Sequence, residues 1–280
     1  MPAKIIDGKK IADNILNGIK SKIKNLRQKP GLALVLVGNN PASEIYVNFK
    51  EKTCKEVGFY CERYNLDKNI SEMDLLKLVN ELNQKSNVHG ILVQLPLPKN
   101  IDEHLIINSI LPHKDVDGFT PINLGNLVSE QTIFAPATAR AVLHLIESTG
   151  INIEGKNAVI VGRSKIVGKP TAMLLLEKNA TVTVCHSKTK NLGEHTKKAD
   201  ILVAAVGKPG LIKKEMVKEG SVVIDVGINR VYNKVVGDVD LENVKEIAGY
   251  ITPVPGGVGP MTIAMLMENT LKAMELAQKF

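Results

Sequence analysis

The apolar positions switch period repeatedly along the chain. Ile11, Ile15, Leu16, Ile19, Ile23 and Leu26 lie three and four apart. That spacing predicts one helix over residues 9–27, stopped by Pro30–Gly31. Leu32–Val37 is an unbroken apolar run and reads as a buried parallel strand. Asn40–Pro41 then offers a cap and a first-turn proline for a helix reaching about Val57. A strand over Phe59–Asn65 precedes a helix over Ser71–Lys85, with Ser71 and Asp74 spaced as a capping box. Ile91–Val93 is again buried strand, and Pro96 and Pro98 forbid its continuation. A helix over 102–111, a linker over 120–135 and a helix over Thr138–Gly150 follow.

From Lys156 onward strands alternate with helical stretches: Ala158–Val161, Thr181–Cys185, Ile201–Val206 and Val222–Val226. The alternation predicts a Rossmann-like parallel sheet. Tyr250–Pro260 is dense in proline and glycine and reads as a stiff loop before a last helix, Met261–Gln278. Its methionines, Met261, Met265, Met267 and Met274, read as core filler. That helix can return to the first domain and make it discontinuous.

Candidate chemistry gathers first at Asn157–Pro170, NAVIVGRSKIVGKP. A strand, a turn bracketed by Gly162 and Gly168, and a helix over Ile166–Leu176 would aim backbone N–H groups at a phosphate. The motif is G-x-S-x-x-x-G, not the usual dinucleotide fingerprint, and alone also fits a turn without ligand. The next strand decides between them. It ends in His186, Ser187, Lys188, Thr189 and Lys190, where an NAD site would carry an acid for the ribose hydroxyls. Hydroxyls and cations, with Arg163 in the glycine turn, suit a 2′-phosphate, so NADP is expected. Gly207 and Gly227 follow strand ends, where backbone can approach a cofactor closely.

In the first half, Ser43, Tyr46, Lys50 and Cys54 share one helix face. Ile45 and Phe49, on a neighbouring face, are expected to pack inward. Taken alone, Tyr46 and Lys50 fit a snorkelling surface pair as readily as a substrate platform beside a proton-handling amine. Gln94 falls at the carboxyl end of a parallel strand, the end at which open α/β sheets bind ligands. Asp115 and Asp117 precede Gly118 in a loop; either a turn-stabilising or a ligand-orienting role fits them, whereas the remaining positions of a calcium loop are absent.

Composition narrows the classes. The 280 residues suffice for two domains, and 44% hydrophobic with 23% charged residues is a globular balance. The net charge of +7 invites nucleic acid, but 4% aromatics, no Trp and no basic block interleaved with stacking residues argue against it. A solvated surface attractive to anionic substrates is the simpler reading. Cys54, Cys61 and Cys185 form neither a C-x-x-C pair nor a disulfide framework, so free thiols and no metal site are expected. No apolar run reaches the ~20 residues of a membrane span, and the start lacks an apolar core typical of a signal peptide. A cytoplasmic location is expected.

The stretches YVNFK, GILVQLPLP, DVDGF, VGRSKIVGKP, AVGKPG, VIDVGIN, GDV and YITPVPGGVGPMT occur in this order over nearly the whole chain. Together they resemble the bifunctional methylenetetrahydrofolate dehydrogenase/methenyltetrahydrofolate cyclohydrolase family. The resemblance implies an N-terminal α/β catalytic domain over 1–120, completed by the helix 260–280. A Rossmann-like NADP-binding domain over 136–258, with a mostly parallel sheet, would complete the two-domain α/β fold, with tetrahydrofolate in a cleft between the two. It further implies that Lys50 is the central catalytic residue, tuned by Gln94, that Tyr46 stacks on the folate and that Asp117 holds the pterin. Ser43 and the loop containing Pro255, Gly256 and Gly257 would line the substrate. Gly162, Arg163 and Ser164 would carry NADP, with Ser187 near the 2′-phosphate and Ile228 near the nicotinamide. A homodimer through the nucleotide domain, with neither nucleic acid nor membrane as partner, completes the expectation.

One segment departs from the family pattern P-C-T-P-x-G: here it reads Pro136, Ala137, Thr138, Ala139, Arg140, Ala141. Two alternatives stand beside the bifunctional enzyme, the first of them permitted by this altered segment. One is an NADP-dependent dehydrogenase without cyclohydrolase activity; the other is a basic, nucleic-acid-associated binding protein that has kept the fold.

Overall fold

The computed structural model describes residues 2–232 and 234–278. The chain runs β1 (Lys4–Ile5), α1 (Gly8–Ile23), β2 (Gly31–Val37), α2 (Pro41–Val57), β3 (Tyr60–Leu66), α3 (Glu72–Gln84), β4 (Gly90–Val93), α4 (Glu103–Ser109), α5 (Pro121–Val128) and α6 (Ala137–Glu147). It continues with β5 (Asn157–Val161), α7 (Gly168–Glu177), β6 (Thr181–Cys185), α8 (Leu192–Thr196), β7 (Ile201–Ala204) and β8 (Val222–Asp225). A hairpin of β9 (Asn229–Val231) and β10 (Lys234–Val236) precedes α9 (Leu241–Val244), β11 (Tyr250–Ile251) and α10 (Val258–Ala277).

Two compact units result. One joins Asn14–Ala137 to the residues from Ile263 on; the other joins the residues up to Asp13 to Thr138–Thr262. The first contains a parallel sheet in the order β3-β2-β4. All seven residues of β2 are buried, which explains its unbroken apolar sequence as the central strand. Leu75, Val79 and Leu82 of α3 close one side of this core with Ile106 of α4. Asn40 caps α2 by accepting from the N–H groups of Ala42 and Ser43 at 3.0 and 3.2 Å. Gly58 ends that helix in the left-handed region, at φ 90°. The starts of α2 and α3 thus follow the cap residues read from the sequence, Asn40 and Ser71.

The second unit contains a six-stranded sheet, β1-β11-β8-β7-β5-β6, with every pairing parallel. Its first strand is a departure from the expected boundary of 1–120. Lys4 and Ile5 pair with Tyr250 and Ile251, and Lys9 N–H donates to Gly256 O at 3.0 Å. Gly8 presses on the loop before α10: a Cβ there would stand 2.1 Å from Gly257 O. A two-residue strand has no periodicity to reveal it, and only its non-local partner makes it a strand.

Two other expectations are corrected. The linker over 120–135 contains α5, begun by Thr120, whose Oγ1 accepts from Asn123 N–H at 3.3 Å, and by Pro121 at the first helical position. Ile45 and Phe49 do not pack inward but stand 37% and 55% exposed. The buried stripe of α2 is Ser43, Val47, Cys54 and Val57 instead. The anticipated methionine packing is seen: Met261, Met265, Met267 and Met274 are all buried in α10. All three cysteines are free thiols, with Cys54 and Cys185 buried and Cys61 half-buried.

Candidate active site

In the first unit α2, the end of β4 and the loop after α4 bring Lys50, Gln94 and Asp117 together. Lys50 lies two turns beyond the buried Ser43 and about one beyond the buried Val47, so the packing of α2 fixes where its amine goes. Gln94 follows the last residue of β4; its backbone N–H donates to Val35 O at 2.8 Å and continues the ladder one step. Its side chain is pinned at both ends. Nε2 donates to Leu95 O at 2.7 Å, which leaves Oε1 to accept from Lys50 Nζ at 3.0 Å.

The electrostatics follow from burial. Enclosure lowers the Lys50 pKa below its ordinary 10.5, with the Asp117 charge pulling the other way and losing. Asp117 is raised above its ordinary 3.8 mainly by burial, opposed by Lys50 and reinforced by Asp115. Burial therefore outweighs mutual attraction on both partners and favours the neutral amine. Gln94 supports this state, because a neutral amide oxygen accepts a hydrogen bond without adding a countercharge.

The two loop aspartates have separate tasks. Asp115 is buried and accepts from Phe119 N–H at 3.1 Å, Thr120 N–H at 2.8 Å and Asn123 Nδ2 at 2.9 Å. It is the turn-former, whereas the Asp117 carboxylate takes part in none of these bonds. From α10, the buried Asn269 donates through Nδ2 to Val116 O at 2.7 Å and to Ala135 O at 3.2 Å. Those bonds hold the residue before Asp117 against the segment leading to α6. Asn269 escaped the sequence reading because a lone Asn within an apolar helix has no pattern of its own. Ser43 is buried at the first turn of α2 and Tyr46 is half-buried on the same face.

The second unit holds the glycine turn. Gly162 has φ 130°, and a Cβ on it would stand 2.2 Å from Ala205 O. A Cβ on Gly168 would meet Gly162 O at 2.2 Å, so the turn closes on itself without room for either side chain. Ser164 Oγ accepts from the N–H groups of Val167 at 3.1 Å and Gly168 at 3.3 Å and opens α7. That helix starts at Gly168, two residues later than its apolar spacing suggested. Arg163, Ser164, Ser187 and Ile228 are exposed. After β6, Thr189 folds the turn by accepting from His186 N–H at 2.9 Å through Oγ1. An exposed arginine and serine beside a closed glycine turn, with no acid in 186–190, fit a phosphorylated dinucleotide. Pro255, Gly256 and Gly257 lie between β11 and α10 in this unit, with Gly256 at φ 107°. Among the described residues no group of His, Cys, Asp or Glu could hold a metal ion.

Two family models meet the chain, one on either side of residues 118–135. The catalytic domain of tetrahydrofolate dehydrogenase/cyclohydrolase matches residues 6–117, and its NAD(P)-binding domain matches residues 136–278. The chain belongs to this family. A bifunctional protein FolD from Halothermothrix orenii is 57% identical over 96% of the chain and 97% of its own length. The crystal structure of the bifunctional FolD dehydrogenase/cyclohydrolase from Campylobacter jejuni is 50% identical, with a TM-score of 0.95, covering 98% of this chain and 99% of that one. The Trypanosoma brucei methylenetetrahydrofolate dehydrogenase-cyclohydrolase, solved with NADP cofactor and an inhibitor, is 36% identical, with a TM-score of 0.96 over the full length of both chains.

Membership gives meaning to the segment that departs from the family pattern. Ala137, Ala139 and Ala141 are all buried in the start of α6, and Thr138 Oγ1 lies 3.3 Å from Thr262 Oγ1 at the start of α10. Alanine at these positions favours the helix and leaves this hydroxyl contact in place.

Proposed function

We propose that this member of the tetrahydrofolate dehydrogenase/cyclohydrolase family carries its two activities on the two groups of residues described above. In the first, 5,10-methylenetetrahydrofolate loses a hydride to give the methenyl cation. In the second, water adds to that cation and the ring opens to 10-formyltetrahydrofolate. NADP, when bound, supplies the hydride acceptor. Gly162, Arg163, Ser164 and Ser187 hold its phosphate-bearing part, and Ile228 meets the nicotinamide.

The single observation that carries the hydrolytic role is the 3.0 Å hydrogen bond from Lys50 Nζ to Gln94 Oε1, in surroundings whose burial depresses the amine. A neutral Lys50 takes a proton from the attacking water and returns it as the ring nitrogen leaves. Tyr46 stacks on the folate ring system, Asp117 accepts from the pterin N–H groups, and Ser43 lines the same face. The nucleotide-binding unit leaves β6 as a sheet edge, with Thr181, Thr183 and Val184 exposed, and this edge suits pairing of two copies. No helix among the described residues is long and apolar enough to cross a membrane. With the basic surface, this agrees with an enzyme acting on anionic folates in the cytoplasm.

The test is the purified protein with 5,10-methylenetetrahydrofolate and NADP or NAD in turn. NADPH formation followed by loss of the methenyl absorbance is the expected course. A methenyl species that accumulates and decays only at the uncatalysed rate would leave a monofunctional dehydrogenase. Salt-dependent retention on DNA without folate-dependent NADPH formation would leave a binding protein.

Two variants probe the assignments. Gln94→Glu places a carboxylate on the Lys50 amine, and an opposite charge at this distance raises an amine pKa by about 1–3 units. The pH at which methenyl hydrolysis reaches half its maximum is expected to move upward accordingly; an unmoved profile would separate Gln94 from the tuning of Lys50. Arg163→Ala removes a charge-assisted contact worth about 1.5–3 kcal/mol. The variant is expected to weaken NADP roughly 10- to 100-fold and NAD much less, as read by calorimetric titration; equal losses would contradict the 2′-phosphate contact.

A further inference from the structure

Two buried carboxylates outside these groups are stacked beneath the carboxyl ends of β7 and β8. Asp238, fully buried on the return from β10, accepts four hydrogen bonds. Its Oδ2 takes the N–H groups of Val206 at 2.7 Å and Gly207 at 3.0 Å. Its Oδ1 takes Lys208 N–H at 2.8 Å and Asn229 Nδ2 at 2.9 Å. Asp238 is itself seated on Asp225, whose Oδ1 accepts from Asp238 N–H and Gly227 N–H, each at 2.9 Å. Asp225 Oδ2 accepts from Val239 N–H at 2.8 Å, and Asp225 N–H donates to Thr252 Oγ1 at 2.8 Å.

The surrounding glycines are shaped to this pair. A Cβ on Gly227 would stand 2.3 Å from the Asp238 carboxylate, and one on Gly237 would stand 1.8 Å from Asp225 Oδ2. Burying two like charges side by side costs stability that apolar packing would not. Burial pushes the Asp225 carboxyl up to about 6, against the three N–H donors that pull it down. What the arrangement provides in return is a fixed path for the loops that leave β7 and β8. These loops carry Gly207 and Ile228, at the end of the sheet where a dinucleotide lies.

We propose that Asp238, seated on Asp225, is a positioning residue of the dehydrogenase step, fixing the 206–208 and 227–229 loops that present NADP's nicotinamide half for hydride transfer. The inference rests on the assignment of Ile228 to the nicotinamide. It predicts a split between the cofactor's two halves. The adenosine half is held by the turns after β5 and β6, which Asp238 does not touch.

Asp238→Asn in the full-length chain is the test, because the amide turns an accepting edge into a donor facing two N–H groups. A displacement of the reacting ring by ~1 Å can cost about 100-fold, so dehydrogenase kcat is expected to fall roughly 10- to 100-fold. Binding of 2′,5′-ADP, which lacks the nicotinamide, and NADP-free methenyl hydrolysis are expected to stay within about twofold. Amide hydrogen exchange in the unliganded protein should quicken at Val206, Gly207 and Lys208 and not across the sheet. Unchanged dehydrogenase kcat overturns the proposal, and so does a common loss of both activities and of 2′,5′-ADP binding. If Asp238→Asn does not fold, Asn229→Ala removes one of the four bonds and should show the same split in smaller measure; its absence there also overturns the proposal. An unsubstituted protein with no NADP-dependent folate oxidation would instead refute the function proposed above.

Discussion

Lys50→Met is expected to slow methenyl hydrolysis by about 10²- to 10⁴-fold, the usual contribution of a positioned acid–base group. Methionine keeps the length and apolar stem of lysine, so the α2 packing through Val47 and Cys54 has no reason to change. NADP binding, which depends on the other unit, should persist in a calorimetric titration. The same substitution has a readable effect on stability. The folded protein holds Lys50 at a pKa below the ordinary 10.5, so the unfolded chain binds more protons between the lowered value and 10.5. Stability of the unsubstituted protein therefore climbs with pH through that window, and Lys50→Met should flatten the climb. Denaturation midpoints at several pH values measure it. Hydrolysis at the original rate in this variant would remove Lys50 from the mechanism.

The second large effect is expected at Gly162. Gly162→Ala places a Cβ 2.2 Å from Ala205 O at a residue held at φ 130°. Neither partner can yield cheaply, because Ala205 is backbone that continues the β5–β7 ladder through its N–H to Val161 O at 2.8 Å. Strain at such a φ and enforced overpacking cost ~1–3 kcal/mol each, so a loss of about 2–6 kcal/mol is expected in urea unfolding. Dehydrogenase activity should fall further than methenyl hydrolysis if, as proposed, the displaced turn holds NADP. A variant as stable as the parent, with unaltered NADP affinity, would show that the turn tolerates a side chain and has no tight closure.

The bond between a fold and its sequence is uneven here, and the reasons are physical. Elements with a strong period or a cap were legible: α2 after Asn40, α3 after Ser71, and the parallel strands β2, β4, β5 and β7 as unbroken apolar runs. Elements that exist only through a partner were not. β1 and β11 are two residues each and become strands only through their neighbours, β1 by pairing with β11 and β11 by also pairing with β8. α5 was hidden because its eight residues expose Ile122 and Val128, which blurs the apolar face that would betray a helix. The inward placement expected of Ile45 and Phe49 failed for a related reason: a helix packed on a sheet buries one narrow stripe, and Ser43, Val47 and Cys54 already occupy it.

The chemistry divides in the same way. From residue types and order alone came the family, the preference for NADP over NAD, and the identity of Lys50 and Gln94 as candidates, because motifs and a missing acid are local facts. Tertiary structure was needed to separate Asp115, spent on its own turn, from Asp117, and to set Gln94 Oε1 at 3.0 Å from the amine. It was also needed to reveal Asp225, Asp238 and Asn269, whose partners lie across loops distant in sequence. A hydrogen bond between residues far apart along the chain leaves no period and no composition to read, and burial, which sets the lysine's basicity, is a property of everything folded around it.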